Sequence, residues 1–139
     1  MKLEDLPQSA HDFLAETRFG TLVTNADPWP HAVPVWYEWT GTVIEMFSKR
    51  ERPKNRRLRD DPRCSFVVSS EVAEPVYWVA IDGEATVTPD GAELAYAFAP
   101  RYWDLSDPEL AATFAEWQAT PERFERITIT PHRVRHFTG

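Results

Sequence analysis

The densest chemistry in the chain lies in residues 49–63, KRERPKNRRLRDDPR. Eight bases (Lys49, Arg50, Arg52, Lys54, Arg56, Arg57, Arg59 and Arg63) meet only three acids there, for a local charge of +5. The whole chain carries −7, from 15 Lys and Arg against 22 Asp and Glu, so the other 124 residues carry −12. An acidic body with one basic island is arranged to hold a discrete anion. Duplex DNA demands a broader basic face, and an acidic remainder repels it, so no nucleic-acid partner is expected. The bland alternative is a solvated helix face whose charge serves solubility. Ser48 at a strand end, the basic loop, and Lys54 at the start of a short helix together have the parts of a monophosphate cradle. The hydroxyl and the helix amides supply directed donors, and Lys and Arg supply charge. Upstream, Val33-Pro34-Val35-Trp36 offers an extended backbone next to a flat ring. Such an edge can hydrogen-bond the polar side of a heteroaromatic ring system, with Trp78 lining the same wall. The composite points to a phosphorylated aromatic cofactor.

No self-contained catalytic set accompanies these residues. The chain lacks GxSxG, HExxH and a Walker-type phosphate loop. Cys64, the single cysteine, alternates within an apolar strand and reads as a buried inert thiol, with no disulfide or CxxC metal site. His132 and His136, four apart on a strand, stand roughly 13 Å from one another and cannot share a metal. His31 begins a strand beside prolines and reads first as an ordinary turn histidine. Asp60 and Asp61 sit between Arg59 and Arg63, where ion pairing at a helix end suffices. The catalytic residue stays unknown, and any reaction would be carried by the cofactor.

These residues need a scaffold. A length of 139 residues, 42% hydrophobic and 27% charged, suits one globular domain spanning 1–139. No apolar run is long enough for a bilayer, and the N-terminus lacks a signal-peptide layout, so a soluble cytoplasmic protein is expected. Thirteen per cent aromatics, and 12 Pro against 5 Gly, favour short strands and rigid turns. Ser9-x-x-Asp12 predicts a capped helix over about 9–17, with Phe13 and Leu14 inward. Strands follow at 19–25, 31–39 and 42–48, expected as an antiparallel meander with a turn at 26–30. Pro34 marks an edge, a bulge, or a place where the ladder gives way to a ligand. Pro53 opens a short helix that Asp61-Pro62 ends. Strands at 64–69 and 76–87 come next, the latter bent or bulged at Gly83. A helix over about 92–103, a second capping box at Ser106-x-x-Glu109, and strands at 125–130 and 134–137 complete a six- or seven-stranded antiparallel barrel. Six Trp are more large rings than one small barrel easily covers, which hints at a protein interface.

Four stretches in this order, FLAETRFGTLVTN, PHAVPVWYEW, MFSKRERPKNRRLRDDPRCSFVV and YWVAIDGEATV, resemble the pyridoxamine 5'-phosphate oxidase-like split β-barrel flavoproteins. The likeness runs from Phe13 to about Val87. It is strongest to a small actinobacterial branch that uses FMN or the deazaflavin coenzyme F420. The resemblance implies a mainly β, six-stranded antiparallel split barrel of the FMN-binding type. It also implies a homodimer with cofactor sites at the subunit interface. By that analogy His31, Val33, Pro34, Val35 and Trp36 lie along the flavin ring and ribityl chain, and Phe47 and Ser48 meet the ribityl–phosphate region. Lys54 binds the phosphate with Arg52 and Arg57, and Trp78 reaches the cofactor from the partner strand. F420 is slightly favoured over FMN because the overall pattern is nearest to that branch, and Lys49, Arg50 and Arg56 can also serve its acidic tail. Two positions depart from the pattern. Arg57 stands where the family has Asn before the helix Leu, and Asp27-Pro28 replaces Asp-Gly in the first hairpin. The short C-terminal part carries no convincing pyridoxamine-phosphate-binding set. The implied function is hydride transfer to an electron-poor small-molecule acceptor. A split-barrel protein that only binds or sequesters a flavin or haem is the alternative.

Overall fold

Alternating burial builds the strands. In Ile44–Lys49 (β4), Ile44, Met46 and Ser48 point inward and Glu45, Phe47 and Lys49 point to the other face, the period of two that a half-buried strand requires. The same alternation runs through Phe19–Thr24 (β1) and Arg63–Ser69 (β5). The computed structural model describes residues 1–139. The remaining strands are His31–Trp36 (β2), Glu38–Trp39 (β3), Tyr77–Thr88 (β6) and Phe124–Thr138 (β7). All pairings are antiparallel, in the order β2-β1-β5-β6-β7-β4-β3. β2 and β3 lie at opposite edges of this sheet, yet only Tyr37 separates them in sequence. The sheet therefore has to curl until its edges approach, which makes a split barrel.

The fold is mainly β, as the sequence predicts, with seven strands, within the six or seven read from the residues and one more than the resemblance implies. The expected strand 31–39 is cut at Tyr37, whose hydroxyl donates to the Leu14 carbonyl at 2.8 Å. The meander is corrected at the same point. β4 pairs with β3 and β7, not with β2. The two expected C-terminal strands are one continuous β7. Its register against β6 shifts between Asp82 and Gly83, where the sequence places a bulge. A Cβ on Gly83 would lie 2.2 Å from the Thr130 carbonyl oxygen, so only glycine permits this approach.

The barrel interior is one cluster of 20 buried residues, led by Leu22, Ile44, Met46, Phe66, Val68, Ile81, Ile127 and Ile129. Gln8–Ala15 (α1) closes one end with Ala10, Phe13 and Leu14. It starts at Pro7 rather than through a Ser9 cap. Ala10 N–H and His11 N–H donate to the Pro7 carbonyl, and Ser9 Oγ instead meets the Tyr77 hydroxyl at 3.1 Å. Pro53–Asp60 (α2) begins on its proline as expected. Ala92–Tyr102 (α3) covers the outer face of β4 and β7, and Pro108–Ala119 (α4) packs on α3 and reaches both strands through Trp117. α4 is capped by Asp107, which accepts from Glu109 N–H at 2.9 Å. Ser106 turns away to Asp104. No helix is long and apolar enough to cross a membrane.

One ion-pair cluster ties the 70–76 loop to the barrel. Arg18 is 7% exposed and forks onto Glu74 at 2.6 and 2.8 Å. It also reaches Glu16 at 2.7 Å and lies over the Phe13 ring. The Arg18 hydrogen bond, helped by Glu71 N–H, lowers the Glu74 carboxyl to about 2 from its ordinary 4.5. A carboxylate lowered on folding stabilises the fold above its unfolded value, and the contribution is lost as pH falls through the folded one. Glu74→Gln should therefore lower the Tm at neutral pH. Thermal unfolding followed down to about pH 2 should show the gap to wild type closing as pH drops from about 4.5.

Candidate functional site

β4 ends at Lys49, and two backbone hydrogen bonds turn the chain. Arg50 N–H donates to the Arg123 carbonyl at 2.8 Å, and Arg52 N–H to the Lys49 carbonyl at 3.0 Å. Pro53 then opens α2. Asn55 and Leu58 face the protein and are 0% and 1% exposed. Lys54 and Arg57, also three apart, share the adjacent face. The result is a cleft of about 380 Å³ beside the β2 edge, lined by His31, Val33, Arg52, Pro53, Lys54 and Arg57.

The cleft is positive and lacks counter-charge. Of the island's eight bases, Arg59 is paired with Glu125 and Arg63 with Asp61. Lys49, Arg50, Arg52, Lys54, Arg56 and Arg57 have no carboxylate within 4.0 Å. Burial, reinforced by the positive charge of Arg52, pushes the Lys54 ammonium below its ordinary value. A partly desolvated cation among cations is unfavourable, and an anion in the cleft reverses that cost. Arg52, Lys54 and Arg57 are the residues that could hold a phosphate there, each through charge-assisted donors.

Five of the eleven residues expected at the site (His31, Val33, Arg52, Lys54 and Arg57) converge on this cleft. Six do not. Pro34 lies exposed on β2, an edge strand as its proline requires. Val35 points into the barrel core. Trp36 and Phe47 belong to the layer under α3 and α4. Trp36 stacks on Tyr102 at 4.7 Å and meets Trp103 edge-on at 5.0 Å, and Phe47 packs on Trp117 and Phe124. This layer gathers three of the six Trp, namely Trp36, Trp103 and Trp117, and Trp39 is buried in the core, while Trp29 is 78% exposed. Ser48 is 3% exposed and its hydroxyl turns to the Lys49 carbonyl, away from the cleft. Trp78 lines a separate apolar groove of about 460 Å³ with Val23, Phe66, Val67, Ala80 and Arg135. Its ring stacks on that of Phe137 at 5.9 Å.

Sequence reasoning missed a buried polar cluster behind the cleft. Asn55 Nδ2 donates to Glu125 Oε1 at 2.9 Å and to the Lys49 carbonyl at 3.3 Å, while the Arg59 guanidinium pairs with the other Glu125 oxygen. The signal was weak: an Asn, a poor helix former, among bases, and a Glu at the start of an apolar strand. A polar cavity of about 400 Å³ at the Gly83 bulge competes poorly as an anion site. Its Asp82 is held by Ser65 and Arg133, each at 2.6 Å, and its Arg63 by Asp61. Cys64 lies there too, but burial pushes its thiol up to about 12, which leaves no thiolate nucleophile. No three His, Cys, Asp or Glu side chains gather as a metal site.

A curled antiparallel sheet with helices on its outer face, and a basic cleft where a strand meets a short helix, defines a split-barrel class. The sequence profile of the family described as pyridoxamine 5'-phosphate oxidase matches residues 6–137, and the chain belongs to that family. Among solved structures, the fold is similar to a putative pyridoxamine 5'-phosphate oxidase from Listeria innocua. That match has a TM-score of 0.71 and 17% identity, over 95% of this chain and 98% of that one. An F420 reductase matches with a TM-score of 0.70 and 19% identity, over 94% and 98% of the two chains. A FAD-binding protein from Mesorhizobium loti matches with a TM-score of 0.65 and 21% identity, over 94% and 93%. None of the curated proteins matches by sequence.

Proposed function

We propose that this protein is a homodimeric oxidoreductase. It would hold coenzyme F420, or else FMN, by its phosphate in the Arg52–Lys54–Arg57 cleft, and pass reducing equivalents to an electron-poor organic acceptor. The observation that carries the proposal is the half-buried Lys54 among unpaired arginines, beside an edge strand that can hydrogen-bond a ring system. Family membership supports it, and the F420 reductase and FAD-binding relatives make a deazaflavin or flavin the natural occupant. The further unpaired bases Lys49, Arg50 and Arg56 favour the deazaflavin with its acidic tail.

When bound and reduced, the cofactor supplies a hydride, and the acceptor takes it with a proton from solvent. The chain's own residues bind and orient. Arg52, Lys54 and Arg57 anchor the phosphate, and the open edge of β2 at His31 and Val33 is where the ring lies. In this proposal Trp78, with Phe137, closes the site from the second copy. The groove around Trp78 and the half-exposed Phe137 give such an interface apolar surface to bury. We assign no catalytic side chain; positioning and exclusion of water are the protein's share.

The test is a single turnover. The protein is loaded anaerobically with reduced F420 or FMN, mixed with a quinone, and followed by the cofactor's visible absorption. Re-oxidation faster than that of the free cofactor is the expected result. Binding without acceleration across quinone, conjugated carbonyl and tetrapyrrole acceptors would instead mark a binding or sequestering protein.

A further inference from the structure

The buried cluster behind the cleft has a job that its burial alone does not require. Glu125 enters from the start of β7 and is 4% exposed. Asn55 bridges it to the Lys49 carbonyl, the same carbonyl that accepts from Arg52 N–H. Arg59, one helical turn further along α2, takes the second carboxylate oxygen. Burial pushes the Glu125 carboxyl up, but hydrogen bonds from Arg59 and Asn55 more than offset this and hold it ionised. Three features are thereby fixed to one group: the rotation of α2 about its axis, its distance from β7, and the turn that carries Arg52. A helix of eight residues slipped by one position rotates its side chains by about 100°, enough to swing Lys54 and Arg57 out of the cleft.

We propose that Glu125 is a positioning residue for anion recognition. Acting through Asn55 and Arg59, it sets the orientation in which α2 and its preceding turn present Lys54, Arg57 and Arg52 to a phosphate. This rests on the phosphate-cleft function proposed above. Glu125 does not touch the anion. Its effect falls on the phosphate contacts alone and not on contacts to a ring.

Paired titrations read that difference: FMN against riboflavin, and F420 against its phosphate-free deazariboflavin core. They are run on wild type, Glu125→Gln and Asn55→Leu at a temperature where all three are folded by circular dichroism. Wild type should prefer the phosphorylated member of at least one pair. In both variants that preference should shrink roughly tenfold, the usual effect of losing a partner that orients a binding group, while affinity for the phosphate-free member stays the same. A preference that survives intact in both variants, or an equal loss for both members of the pair, overturns the positioning role and leaves the cleft assignment standing. A wild type that binds the phosphorylated and phosphate-free forms equally overturns both.

Discussion

Lys54→Glu should abolish binding of a phosphorylated cofactor while leaving the Tm unchanged or slightly raised. The two halves of this expectation have separate origins. In the cleft the ammonium is one of three charge-assisted donors, and such a bond contributes roughly 1.5–3 kcal/mol. Reversal also sets a carboxylate against the phosphate, so the loss in affinity is expected to reach about a hundredfold or more. In the unliganded fold, Lys54 has no carboxylate partner, and both burial and Arg52 disfavour its charge. A carboxylate at that position relieves the repulsion and stands beside Arg52 and Arg57. Titration with FMN and F420, together with thermal unfolding, measures both halves. Wild-type affinity in the variant would refute Lys54 as a phosphate ligand. Coincident loss of fold and binding would show that the residue is structural.

The largest stability effect is expected at a different position, Gly91→Ala. Gly91 precedes α3 with an ordinary helical backbone, so its need for glycine is steric and not conformational. A Cβ there would lie 2.2 Å from the Glu125 carbonyl oxygen and 2.3 Å from its carbon, both backbone atoms that cannot swing aside. Either α3 lifts from the sheet or β7 moves and carries the Glu125 side chain with it. The cost is about 3 kcal/mol, or about 10 °C in Tm. Gly41→Ala is the useful contrast. Gly41 has φ of +99° but nothing within 4 Å, so only the local strain of about 1 kcal/mol applies. Calorimetry on the two variants should rank them in that order. Equal losses would mean that the approach of Gly91 to β7 relaxes freely.

What was legible in the sequence, and what was not, follows the range of the interactions involved. Local signals were read correctly: Pro53 opening α2, Gly83 at the register shift, and Pro34 on an edge. The inward turn of Ser48 was readable. Ser48 shares a period-two face with Ile44 and Met46, so an inward hydroxyl follows from the same alternation that placed its neighbours in the core. The break at Tyr37 was not legible, because alternation continues straight through it. The break arises from its hydrogen bond to Leu14 across the barrel end. The layer of Trp36, Tyr102, Trp103 and Trp117 was hidden for a related reason. Helical periodicity says that α3 and α4 have an apolar side, but not which sheet face it meets. Glu125 lies 66 residues from Arg59 and 70 from Asn55, a pairing that only the fold makes.

The most direct test is a fluorescence titration of the apo-protein with FMN and with F420 in parallel. Tight binding of F420, or failing that of FMN, is the predicted result. Binding of neither would contradict the phosphate cleft and return the unpaired bases of residues 49–63 to a solvated surface.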